Sequence, residues 1–76
     1  MKYVEVKQIM DDNSYGPVFD RIYLGMDNKL QSQLRAKDSD WVDDINYAGT
    51  LDNIVAKWNN AYIYVSEIKE GNLPTK

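Results

Sequence analysis

Between Gly49 and Gly71 the apolar residues change from a helical spacing to a strand spacing within a single short stretch, GTLDNIVAKWNNAYIYVSEIKEG. Leu51, Ile54, Val55 and Trp58 fall at i, i+3, i+4 and i+7, one face of a 3.6-residue period. Thr50 stands where its hydroxyl can accept an unpaired N–H of the first turn, and Asp52 follows at the positive end of the helix dipole. Asn59 and Asn60 then mark the stop, because asparagine tolerates the left-handed conformation that often ends a helix. From Ala61 the period becomes two: Ala61, Ile63 and Val65 point one way, and Tyr62, Tyr64, Ser66 and Ile68 the other. Bulk on both faces predicts a strand that is central or covered on both sides. A chain with this helix-to-strand junction has to mix both kinds of element.

The N-terminal part adds strands. Lys2 to Met10 alternates, with Val4, Val6 and Met10 on one side and Tyr3, Glu5, Lys7 and Ile9 on the other. Asp11 to Pro17 is dense in turn residues and reads as a loop. Val18 to Met26 fits a second strand, in which Val18, Asp20, Ile22, Leu24 and Met26 share a face opposite Phe19, Arg21 and Tyr23. The same stretch also fits a helix opened by Pro17, but Gly25 with Asp27 and Asn28 argues against one long helix. Asp27 then reads as the cap of a helix from about Asn28 to Lys37, with Leu30 and Leu34 as its apolar stripe. A short helix over Asp38 to Tyr47, with Trp41, Val42 and Ile45 inward, is the next expectation; an extended segment fits those residues too.

These elements predict an α+β fold: a small three-stranded, mainly antiparallel sheet with two to three helices packed on one face, in the order β-β-α-α-α-β. Residues 1–71 form the expected single domain and 72–76 a short, frayed C-terminal tail. At 76 residues the chain has room for one core only.

What the composition lacks is as telling as what it holds. There is no cysteine and no histidine, which removes disulfides, thiolate metal sites, the commonest general base and the usual hydrolytic triad. No catalytic residues, metal or cofactor are therefore expected, and the chain reads as a binding protein, not an enzyme. Calcium loops beginning at Asp11 or Asp38 both fail: the first has Ile22 where a bidentate glutamate belongs, the second Asp43 where glycine does. The N-terminal MKYVEVKQIM lacks a continuous apolar run, no window approaches a membrane span, and cytoplasmic residence is expected.

Charge supplies the first candidate surface. The net charge is −3, and no Lys or Arg occurs from Asp38 to Ala56. Asp38, Asp40, Asp43 and Asp44 are interleaved there with Trp41 and Tyr47. Carboxylates steer a basic partner in and an exposed aromatic anchors it, so this stretch reads as a patch for another protein with a basic surface, as in a small regulator or inhibitor. Trp41 as core and the aspartates as caps and solvated surface is the plainer reading. The second candidate is a strand face carrying Tyr3, Tyr62 and Tyr64, which resembles the stacking surfaces of single-stranded nucleic-acid binders. The acidic balance argues against nucleic acid, and strand tyrosines commonly just pack. A third expectation is self-association, because Lys29, Arg35 and Lys37 form a basic stretch opposite in sign to the aspartates.

Overall fold

The computed structural model describes residues 1–34 and 49–75. In these residues the chain forms strands β1 (Lys2–Ile9), β2 (Tyr15–Leu24) and β3 (Leu30–Ser32), helix α1 (Leu51–Trp58), and strands β4 (Ile63–Val65) and β5 (Lys69–Glu70). The strands make one antiparallel sheet in the order β3-β2-β1-β4, with β5 pairing beside β4's position on the same edge of β1. The sheet thus has five strands where three were expected, and the described residues hold one helix where two or three were expected. The mixture of α and β survives; the order β-β-α-α-α-β does not.

β1 is the centre, and its alternation decides what each face holds. Val4 pairs with Ile22, Val6 with both Asp20 and Val65, and these residues are buried. Helix α1 lies over that face through Leu51 and Ile54, with Val55 and Trp58 packed against the cluster. Its start matches the sequence reading: Thr50 accepts a hydrogen bond from the Asn53 N–H at 3.2 Å. Its end does not. Asn59 is in an extended conformation, not a left-handed one, and its side chain does the capping. Asn59 Nδ2 donates to the Val55 carbonyl at 2.9 Å, while its Oδ1 accepts the Val65 N–H at 2.9 Å. Asn60 Oδ1 accepts from the Tyr62 and Ile63 N–H groups. The two asparagines therefore tie the end of α1 to the outer edge of β4, occupying donors that an edge strand otherwise leaves open.

The predicted helix from Asn28 is overturned over Leu30–Ser32, which is β3. Asp27 caps a turn instead: its Oδ1 accepts the Lys29 N–H at 3.1 Å, Gly25 donates to the Lys29 carbonyl, and Asn28 takes a positive φ of 61°. An Asp bonding two residues ahead stabilises a turn as readily as a helix start, and here the pairing of Leu24 with Leu30 rewards the turn. The predicted loop from Asp11 ends early, since β2 begins at Tyr15. The strand expected from Ala61 is also two short pieces, and β4 stands at the edge of the described sheet, not in its interior.

Two register shifts in the β1–β2 pair, between Val6 and Lys7 and between Lys7 and Ile9, rearrange the faces. Val18 consequently pairs with Lys7, on the side opposite Asp20, and Met26 is fully exposed in the turn. No described helix is long and apolar enough to cross a membrane. The short helix expected over Asp38 to Tyr47 lies outside the described residues. At the C-terminal end, the Pro74 carbonyl accepts a hydrogen bond from Gln33 Nε2 at 2.7 Å.

Candidate binding face

The face of the sheet turned away from α1 is built from the other half of each alternation. Tyr3 stands opposite Tyr23 on one side and Lys69 on the other; Glu5 opposite Arg21; Lys7 opposite Val18 and Tyr64; Ile9 opposite Tyr15. β3 extends the row, with Gln31 opposite Tyr23 and its Oε1 accepting the Tyr23 hydroxyl at 3.0 Å. Four of the chain's six tyrosines therefore lie on one face, half-buried at Tyr3, Tyr23 and Tyr64 and exposed at Tyr15.

The tyrosines form two groups. Tyr3 and Tyr23 are direct cross-strand partners. Tyr15 and Tyr64 meet across β1, their ring centroids 4.6 Å apart and their planes 25° from parallel. Along β1 the Tyr3–Tyr23 pair stands four positions from the row of Tyr64 and six from the row of Tyr15, about 13 and about 20 Å at strand rise. The second register shift makes the stack possible, because it carries Tyr15 to the position opposite Ile9 and so to the face shared with Tyr64.

Between the groups lies a charge cluster centred on Glu5. Arg21 Nε donates to Glu5 Oε2 at 2.9 Å and Lys69 Nζ approaches Oε1 at 3.4 Å. Arg21 is held from a second side, its Nη1 donating to Gln33 Oε1 at 3.1 Å. The Glu5 backbone is fixed as well, its N–H donating to Ser66 Oγ and its carbonyl accepting the Ser66 N–H, both at 2.9 Å. The hydrogen bond from Arg21 holds the Glu5 carboxyl below its usual range, against the opposing effect of burial and with further help from Lys69. Among the described strand residues of this face, Lys7, Arg21 and Lys69 thus accompany one carboxylate, Glu5, in a chain whose net charge is −3.

Of the sequence-predicted site residues, Tyr3 and Tyr64 take their places here, one in each group. Tyr62, 77% exposed, sits just before β4 with its carbonyl accepting the Ile9 N–H. Asp38, Asp40, Trp41, Asp43, Asp44 and Tyr47 lie outside the described residues. Alternation puts Arg21 and Tyr23 opposite the apolar face of their strand without joining them to Tyr3, and the turn residues around Tyr15 read as a loop. Pairing register joins them, and register is the information that alternation alone does not carry.

The chain matches no protein-family model, no curated protein and no solved structure. The chemistry of the face is therefore what bears on function. Among the described residues, no three acidic side chains gather to hold a metal ion. A depression of about 340 Å³ beside the start of α1 is rimmed by Lys2 and Asp52, whose opposite signs favour neither an anion nor a cation.

Proposed function

We propose that this chain is a non-catalytic binding module, resident in the cytoplasm, whose working surface is the open, tyrosine-bearing face of the sheet. The observation that carries the reading is the charge of that face: among the described residues, Lys7, Arg21 and Lys69 stand with the Glu5 carboxylate among four tyrosines, in a chain whose net charge is −3. Such a surface attracts an anionic macromolecule and offers it planar, amphipathic contacts at low entropic cost. Four of the described acids have structural work, which supports binding over catalysis. Asp20 is buried against Ser32, Asp12 and Asp27 close turns, and Glu5 anchors Arg21.

The test compares two surfaces in one experiment. Tagged wild-type protein, a Tyr3→Ala/Lys7→Gln variant and an Asp40→Asn/Asp43→Asn/Asp44→Asn variant are used to capture partners from lysate, with circular dichroism to confirm folding. The face variant should lose the stoichiometric partner and the aspartate variant should keep it. The reverse pattern would return the function to the acidic stretch and a basic protein partner. A wild-type eluate holding only this chain at a multiple of 8.8 kDa would favour a self-associating structural role.

A further inference from the structure

Resting on that reading of the open face, we propose that its occupant is single-stranded nucleic acid, held at two base-stacking positions with phosphates between them. Each position has a distinct basis. At one end Tyr3 and Tyr23 are neighbours across β1 and β2, and the Tyr23 hydroxyl is steadied by Gln31 at 3.0 Å. At the other end the Tyr15 ring, 57% exposed, is backed by Tyr64 at 4.6 Å, so that one ring face is braced while the side chain remains open to a base. Bases stack on sheet aromatics irrespective of sequence because every base has a π face.

The ground between the two tyrosine groups is the cationic part of the face. Arg21 lies at its centre, with Lys69 in the row of Tyr3 and Lys7 in the row of Tyr64, and the Glu5 carboxylate holds Arg21 and Lys69 close by. A strand crossing from one group to the other would carry its phosphates to Lys69 and Lys7, past the Arg21 side chain, which is 15% exposed and held by Glu5 and Gln33. This charge complementarity favours a polyanion, and the spacing favours one carrying planar groups. An acidic protein segment meets the first condition without the second. At a stacked rise of about 3.4 Å per nucleotide, the roughly 13 to 20 Å from Tyr3 to the rows of Tyr64 and Tyr15 corresponds to about four to six nucleotides.

The experiment is fluorescence anisotropy with labelled oligo-dT and oligo-rU of two to twelve nucleotides, on the full chain, from about 20 to 200 mM salt. The affinity should rise with length up to about four to six nucleotides and then level off. With about two phosphates neutralised, by Lys7 and Lys69, log K should fall against log salt with a slope of about −1.4. Tyr3→Ala should weaken binding at least about fivefold, as the loss of one stacked base requires. Two charge variants should move in opposite directions at low salt: Lys7→Gln weaker and Glu5→Gln tighter, each by about two- to threefold. Because one of the pair gains affinity, misfolding cannot imitate the result. Absence of binding at 20 mM salt overturns the proposal, as does binding that Tyr3→Ala leaves unchanged or that poly-glutamate displaces at equal charge. If oligonucleotides fail while the lysate partner is an acidic protein lost in the face variant, the face remains the binding surface and only the nucleic acid falls. If the lysate partner ignores the face variant, both readings fall.

Discussion

Ser32 shares its hydroxyl proton between the two carboxylate oxygens of Asp20, at 2.6 and 2.7 Å, on the buried face of the sheet. Asp20 has no solvent exposure, and its Oδ1 also accepts the N–H groups of Arg21 and Leu34. A carboxylate in that position is tolerable only because donors converge on it. Its pairing across to Val6 and the pairing of Ser32 with Ile22 place both groups in the layer of the core. Ser32→Ala should cost about 1–2 kcal/mol in urea unfolding, and Asp20→Ala about 2–4 kcal/mol, since it leaves several donors buried at once. The double variant should cost less than the two singles together by about 1 kcal/mol or more. Additive losses would mean that the two side chains do not meet in solution.

A second prediction concerns Asn59, which joins α1 to β4. Removing its side chain withdraws a donor from the Val55 carbonyl and an acceptor from the Val65 N–H. Asn59→Ala should destabilise by about 1–2 kcal/mol. The more specific readout is amide hydrogen exchange, where Val65 should lose protection first while Val4 and Ile22 keep theirs. Uniform loss across the sheet would assign Asn59 a merely global role.

These two relationships also mark where the sequence was legible. α1 could be read almost to the residue, because Thr50, Leu51, Ile54, Val55 and Trp58 combine a cap with a period that only a helix satisfies. β1 was legible for the same kind of reason, through the alternation of Tyr3, Val4, Glu5, Val6 and Lys7. β3 was not. Three residues carry no period, and Leu30 and Leu34 have a helical spacing, so local signals pointed the wrong way until the Asp20–Ser32 bond and the Leu24–Leu30 pair decided the matter. The candidate face was half legible. Parity put Tyr3, Arg21, Tyr23 and Tyr64 away from the core, but the bulges that deliver Tyr15 and turn Val18 leave no mark in composition.

The Glu5 cluster gives a pH dependence of definite sign. Its carboxyl is held below the ordinary value when folded, chiefly by Arg21. The contribution is therefore fully present above the unfolded value of about 4.3, and it is lost as pH falls through the lower folded value. Glu5→Gln should reduce stability by about 1 kcal/mol at pH 7, and the difference from wild type should narrow as the pH falls below the ordinary carboxyl range. Asp12, held low by the Ser14 hydroxyl and N–H, adds to the acid slope of both proteins and cancels in the difference. A gap that does not narrow as the Glu5 carboxyl is titrated would show that the glutamine alters packing and that charge is not the cause.

The last prediction separates two tyrosines that composition treats alike. Tyr15 and Tyr62 are both largely exposed, at 57% and 77%, yet only Tyr15 is stacked on Tyr64. Surface truncations away from special contacts usually stay within about 0.5 kcal/mol, so Tyr62→Ala should be nearly silent in unfolding experiments. Tyr15→Ala removes an aromatic pair and should cost about 0.5–1.5 kcal/mol more. Its absence also frees the Tyr64 ring, so the Tyr64 ring-proton NMR signals should shift in Tyr15→Ala and hold still in Tyr62→Ala. Equal costs and equal shifts would mean that the second register shift does not bring Tyr15 over Tyr64. The stacking position at that end of the face would then rest on Tyr64 alone, and the length at which oligonucleotide affinity levels off should be unaltered by Tyr15→Ala.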